Sequence, residues 1–452
     1  MKKFNKEQLI KDFNFMFKTF IEVHPDIYAI VDEKKMKEEA DKIRATFSDE
    51  MTIIDFHNII GKFVASIKDG HTFIFLFNNY LYKKKDFKFF YPVLLFKEKK
   101  AKFKHNLEGI AKIGDEVLEI NGISMEFIIT EMLKYNSAET ESFKYVQLTG
   151  KYQLLLYFLF NIKSPFKIKI KRDNKISETE LNGKSITDFE KKKKSKKETS
   201  NNDHLEEKFK IENGIGIFTI KTFGYHKEKA EKFKRFVDKS FEEMKIKNIN
   251  KLIFDVRQNG GGNSSMANYI TNYLTEKPTY SFDRLIWKSS QQIRDLVKDD
   301  ITNNTIGYYE QDSYGRLLSV ELGNCLEKDC KSYKNPNAKE KTYRGDVYVL
   351  SDEACFSTTS DFIAMIRDFQ LGKIIGQTPG GLPNSFGDCY YFDLPNTKIM
   401  ISVSHKYFIR PSGNEKDNKL IPDYIIEQTI ENSKSGIDTV LEFAKQLCLK
   451  KM

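Results

Sequence analysis

Residues 253–262 read Ile-Phe-Asp-Val-Arg-Gln-Asn-Gly-Gly-Gly, and their reading decides the fold. The apolar run Lys251–Val256 has the length and composition of a buried strand. Three glycines follow. They let backbone N–H groups approach a ligand closely and adopt positive φ. A helical pattern, Ser264–Leu274, starts at once, and a helix N-terminus adds positive potential. Strand, glycine loop and helix in this order suit an oxyanion or a phosphate. The stretch lacks the Lys-Ser/Thr of a nucleotide P-loop, and its spacing is not that of a dinucleotide fingerprint. A plain tight turn is the competing reading.

The same rhythm extends outward. Gly214–Ile220 reads as a strand and Lys227–Lys245 as a helix. Asp346–Ser351 is a second buried strand, Ser357–Phe369 a helix and Lys373–Gly376 a short strand. Pro379–Gly387 is a Gly/Pro loop, Met400–Val403 and Tyr424–Gln428 complete the strands, and Gly436–Leu449 is helical. Repeated strand–loop–helix units mark an α/β core over 206–452. Glu276–Thr342 reads as an irregular polar insertion or lid. Upstream, Leu9, Phe13, Phe17 and Phe20 recur at helical spacing, and Asp32–Thr46 and Met51–Ile67 are further helices. They form a helical N-terminal domain, 1–72. Region 73–180 is β-rich, with a strand Glu116–Ile120, an Asn121-Gly122 turn and a helix Met125–Leu133. Residues 181–205 are polar and Lys-rich, a linker or insertion.

Length and charge limit the function. The chain has 452 residues, 40% hydrophobic and 13% aromatic, enough for packed cores and about three domains. The net charge of +10 is local: Lys83–Lys104 carries nine Lys against two acids, and Lys191–Lys197 adds six Lys. The remainder is slightly acidic, so nucleic acid is not the expected partner; the surplus suits steering or tethering of acidic partners. The first twenty residues have no unbroken apolar stretch and no small-residue cleavage site, and no window reaches the ~18 apolar residues of a membrane span. The expected location is cytoplasmic, and a mature exported form fits equally. Five cysteines, with Cys325 and Cys330 as the only close pair, give unpaired thiols or one pair, and no convincing metal set.

Two further constellations carry chemistry. Val349–Phe362 reads VLSDEACFSTTSDF: a strand ends and Ser357 sits at a helix start, as an N-cap or as a nucleophile. Ser351 and Ser360 are nearby competitors, and Cys355, between apolar neighbours, packs. Asp69-Gly70-His71-Thr72 gives a His with an adjacent acid, a candidate general base, with His405 as the alternative.

Together, in this order, these motifs resemble the C-terminal processing (tail-specific) serine peptidase family, in its branch that includes the tricorn core. The resemblance runs from about Asp69 to Gln428. It rests on DGHT at Asp69–Thr72, FDVRQNGGG at Phe254–Gly262, VYVLSDEACFSTTSDF at Val347–Phe362, IIGQTPGG at Ile374–Gly381 and LIPD at Leu420–Asp423. Ile113–Gly122 is similar to the carboxylate-loop region of a PDZ-type module. The implied fold is mixed α+β, a crotonase-like core with a PDZ-like module and a helical N-terminal domain.

The resemblance implies a serine endopeptidase acting through an acyl-enzyme on unfolded or C-terminal peptide segments. It implies Ser357 as nucleophile, His71 as base, an oxyanion hole from Gly260 or Gly261 with Thr358, and Gly380 and Gly381 beside the substrate. It implies no cofactor and no metal. The Ser–Lys branch places its lysine about where Leu382 stands, and Lys373 comes too early, so the His-dependent branch is the match. In that branch a Ser precedes the His and is held by a Glu. Here Gly70 precedes His71, so Asp69 or Glu415 is expected to orient the imidazole directly, or Thr72 to substitute for the missing Ser. Glu108–Leu133 is expected to capture an extended peptide by its C-terminus. Two other classes remain, a crotonase-like acyl-CoA enzyme and a non-catalytic peptide-binding relative. Nothing in the sequence indicates an oligomeric state.

Overall fold

The computed structural model describes residues 2–75, 87–185, 188, 207–303, 313–331 and 341–450. The Lys191–Lys197 run, most of the expected linker and the start of the Lys83–Lys104 cluster lie outside them. The chain forms two compact units, Met1–His204 with Cys389–Ser404, and Leu205–Asp388 with His405–Met452. It is mixed α+β.

The second unit is built on a six-stranded sheet. Ile215–Thr219, Lys251–Asp255, Asp346–Ser351, Lys373–Gly376 and Tyr424–Ile425 run parallel in that order, and Lys208–Glu212 pairs antiparallel at one edge. Side chains alternate between its faces, as strand geometry demands. Phe218, Phe254 and Val349 join a core with Phe233, Met266, Phe362 and Ile366 of the helices Lys227–Ile246, Ser264–Thr271 and Thr358–Asp368. Ile217, Ile253, Leu350 and Ile375 face the other way, against Val440, Ala444 and Cys448 of the helix Thr439–Leu449. Burial on both faces explains why these strands read as unbroken apolar runs.

Glu276–Thr342 is not the irregular segment its polarity suggests. Arg284–Lys288 is a strand between Cys325–Asp329 and the 406–409 end of Met400–Ile409, all antiparallel. Trp287 is buried there, 5.5 Å from the Tyr314 ring. Alternate residues of both strands face solvent, which gives the segment its polar composition.

In the first unit, the helices Lys6–Val23, Glu33–Thr46 and Ile53–Ser66 share an aromatic core, with Phe13 edge-on to Phe63 at 5.3 Å. Asn5 and Thr52 open the first and third with capping boxes, satisfying otherwise orphaned N–H groups. An antiparallel sheet follows, ordered Lys175–Leu181, Phe166–Arg172, Glu116–Ile120, Lys100–Phe103, Leu94–Lys97. It packs on the helices Met125–Leu133 and Glu141–Phe160. Among the described residues no helix is long and apolar enough to cross a membrane.

Candidate active site

In the second unit, Lys251–Asp255 and Asp346–Ser351 are neighbouring parallel strands with Asp255 opposite Leu350. Their C-terminal ends therefore deliver the Gly260–Gly262 loop and the Ser357 loop side by side, where open α/β sheets hold their ligands. Asn259 locks the two loops together. Its Nδ2 donates to Ile220 O at 3.2 Å, its Oδ1 accepts from Gly261 N–H at 2.9 Å, and its carbonyl accepts from Phe356 N–H at 3.2 Å. Asp352 adds to the fastening, accepting from the N–H groups of Gln258 and Ala354, each at 3.0 Å.

Ser357 sits at the helix start with φ 54° and ψ −131°, and its hydroxyl does not cap the helix. Positive φ in a non-glycine residue costs about 1–3 kcal/mol and persists only where its surroundings impose it. Ser357 therefore occupies a strained strand-to-helix turn without capping the helix, a backbone of the kind found at a nucleophile elbow. Gly261 explains the fit: a Cβ there would meet Phe356 O at 2.7 Å, Ser357 Cβ at 2.8 Å and Thr358 N at 2.9 Å. Its φ of 102° also excludes ordinary side chains.

The competing hydroxyls are engaged elsewhere. Ser351 Oγ donates to Gln377 O at 2.6 Å and Ser360 Oγ to Cys355 O at 3.4 Å, and both residues are buried. Cys355 is fully buried, and burial pushes its thiol pKa well up, so it packs rather than reacts.

Thr358 N–H has no acceptor among the described residues, and its hydroxyl donates to Gly262 O at 2.8 Å. Gly260 N–H is likewise unclaimed, whereas Gly261 N–H is taken by Asn259. Of the glycines expected to hold an oxyanion, Gly260 therefore has the available donor and Gly261 supplies the room. Gly381 is buried against the nucleophile turn; a Cβ there would meet Ser360 Oγ at 2.5 Å and Ser357 N at 3.2 Å. Gly380 is buried beside it. Glu415 lies in this unit as an exposed partner of Arg284, at 2.6 Å. His405 is buried 5.8 Å from the Trp287 ring, and burial holds its pKa down at about 3.

In the first unit, Asp69–Thr72 follows the helix Ile53–Ser66 and closes around the Asp69 carboxylate. Oδ1 accepts from His71 N–H at 2.9 Å; Oδ2 accepts from Thr72 Oγ at 2.5 Å and Ser404 Oγ at 2.6 Å. His24 stands beside it, with Nε2 3.4 Å from Asp69 Oδ2 and Nδ1 accepting from Asp26 N–H at 3.2 Å. Burial alone would raise the Asp69 pKa; the bond and charge of His24, the His71 charge and the Ser404 hydroxyl outweigh it and hold it well below the usual range.

His71 is held by its main chain, its carbonyl accepting from Ser402 Oγ at 2.8 Å. Its Nδ1 is out of solvent contact and 4.0 Å from Asp69 Oδ1. Asp69, His71 and Glu139 each bring one ligand-type atom within 4.8 Å of the others, with no ion present. Sequence reasoning missed Glu139, His24, Ser402, Ser404 and Asn259. Only Asn259 had a local signal, an amide immediately before three glycines.

Residues 214–426 match the family model described as peptidase family S41. Among solved structures, mature CPAF is similar over 98% of this chain and 96% of its own, at 13% identity and a TM-score of 0.67. CPAF complexed with lactacystin aligns with the same TM-score of 0.67 and 13% identity, over 98% of this chain and 97% of its own. A candidate peptidase from Parabacteroides merdae aligns over 98% of this chain and 97% of its own, at 16% identity and a TM-score of 0.50. No curated protein matches the sequence.

Proposed function

Through residues 214–426 the chain belongs to peptidase family S41, whose members are serine-type peptidases, and from that premise we propose an endopeptidase that works through Ser357 and His71. Ser357 Oγ attacks the peptide carbonyl as His71 Nε2 takes its proton. The carbonyl oxygen gains the negative charge and is held by Thr358 N–H and Gly260 N–H. Collapse of the intermediate breaks the C–N bond; the amine leaves with the proton from His71, and the acyl group stays on Ser357. Water, deprotonated by the same imidazole, then hydrolyses the ester and restores both side chains.

The observation that carries this reading is the Ser357 backbone, at φ 54° in a non-glycine residue packed on Gly261. Strain of that kind needs a use, and presenting a hydroxyl beside two unclaimed N–H donors supplies one. The substrates are unfolded or C-terminal peptide segments, taken up by the PDZ-like module as an added strand with the carboxylate held in backbone N–H groups.

The test is labelling with a fluorophosphonate serine probe, with peptide mapping of the adduct, beside hydrolysis of fluorescent casein. Wild type should be labelled at Ser357 alone. Ser357→Ala should lose labelling, and both Ser357→Ala and His71→Ala should lose at least ~10³-fold in casein turnover, since members of such a unit fail together. Full turnover by Ser357→Ala would sink the assignment.

A further inference from the structure

One acid in the first unit, half-buried but with its carboxyl out of solvent contact, has no task in this mechanism. Glu139 lies between two pinned segments. On one side Asn136 Nδ2 donates to Lys144 O at 2.7 Å, and Ser137 Oγ donates to Asp69 O at 2.7 Å. Gln147 Nε2 donates to Ser137 O at 2.8 Å. On the other side Thr140 caps the helix Glu141–Phe160. The side chain is therefore placed by its flanks. Neither carboxyl oxygen touches solvent, and only the N–H groups of Glu139 and Gly70 stand near them, short of hydrogen-bond geometry. A buried carboxyl with no partner forfeits free energy unless it has a use.

Its neighbours define that use. One of its oxygens lies with Asp69 and a His71 ring nitrogen inside the 4.8 Å cluster. The two carboxyls differ in what they can still accept. Asp69 already takes two hydroxyls and a backbone N–H, with His24 Nε2 beside it at 3.4 Å. Glu139 carries no side-chain donor, so it keeps acceptor capacity for the ring nitrogen within the cluster.

We infer that Glu139 is the positioning residue for His71: its carboxyl receives Nδ1–H, fixes the tautomer with Nε2 free, and shares the charge when the imidazolium forms. This rests on the reading of His71 as base. The titratable groups facing Glu139 are Asp69 and His71, with His24 behind Asp69. Burial and the Asp69 charge raise the Glu139 pKa to about 8, against weaker help from the N–H groups of Glu139 and Gly70. Beside charged Asp69 the cluster holds one net negative charge, whether the shared proton sits on Glu139 or on the His71 ring. A divalent cation on the same three atoms is disfavoured, because the Asp69 oxygens are committed to donors.

The experiment compares wild type, Glu139→Gln and Glu139→Asp in the full chain by nitrogen-resolved NMR of the histidine rings, and follows fluorophosphonate labelling across pH 5–9. Glu139→Gln preserves volume and removes the titrating oxygen. The His71 pKa should fall by about one unit, a tenfold loss of proton affinity. The wild-type labelling rate should rise through an inflection near the Glu139 pKa of about 8. In Glu139→Gln that inflection should vanish and the rate should fall ~10²-fold, within the range for general base catalysis. Glu139→Asp should fall between. An unmoved His71 pKa in both variants overturns the inference, as does a stoichiometric metal on the purified wild type. The NMR readout needs no activity, so absent labelling with an intact His71 shift would reject the peptidase reading alone.

Discussion

The Ser357 loop and the His71 loop are both polar and both fixed, but they are made of different material. Around Ser357 the working groups belong to the main chain: the N–H of Thr358, the N–H of Gly260 and the space left by Gly261. Around His71 they are side chains, drawn from His24, Asp69, Thr72, Glu139, Ser402 and Ser404. A main-chain site depends on steric room and tolerates few larger residues. A side-chain site depends on charge, so it answers to pH.

The sharpest way to break the contrast is Gly261→Ala. A Cβ 2.7–2.9 Å from three atoms of the nucleophile turn, at φ 102°, must displace that turn. Stability should drop on the order of 3 kcal/mol and probe labelling at least ~10²-fold. Urea melts and labelling rates check both, and a Gly261→Ala chain with wild-type labelling would remove the steric account.

Asp69→Asn tests the other loop. The amide gives up one acceptor oxygen and turns an NH₂ toward hydroxyls already committed as donors, so about 2–3 kcal/mol should go at neutral pH. The Asp69 pKa is depressed in the fold, so its contribution is present above the ordinary carboxyl range and is lost as pH falls toward the native value. The stability gap between wild type and Asp69→Asn should accordingly close on acidification. A gap that stays constant with pH would mean that shape, not charge, holds the loop.

The third effect has the opposite sign. The Glu139 pKa is raised to about 8, so the native state binds the proton more tightly than the unfolded chain does. That group costs nothing below its ordinary pKa, and its cost grows with pH until about 8. Glu139→Gln should therefore match wild type at pH 4 and become the more stable of the two as pH rises toward 8. The Gln variant would then be more stable and slower, the exchange expected of a strained functional group.

The two materials also explain what was legible in the sequence. The Ser357 loop could be read because main-chain geometry demands particular residues at adjacent positions: an apolar strand, then glycines, then a helix. The His71 loop showed only its centre. Its partners come from positions 24, 139, 402 and 404, and no local pattern joins them to Asp69. The same distinction holds for the fold. The helix Glu141–Phe160 escaped because Phe143, Tyr145, Leu148, Tyr152 and Leu154–Leu156 bury it on more than one face, which erases the helical period. The strand Arg284–Lys288 escaped because its charged outer residues diluted the apolar ones.

Asn259 carries a consequence for the lifetime of the molecule. It precedes a glycine, the neighbour that least obstructs attack by the backbone nitrogen on a side-chain amide. Were that amide hydrolysed in an ageing protein, Nδ2 would become an oxygen facing the carbonyl of Ile220, and a charge would enter a fully buried site. One spontaneous event would then unfasten the glycine loop from the nucleophile turn while leaving both intact in sequence. The tight burial of Asn259 is what slows that clock.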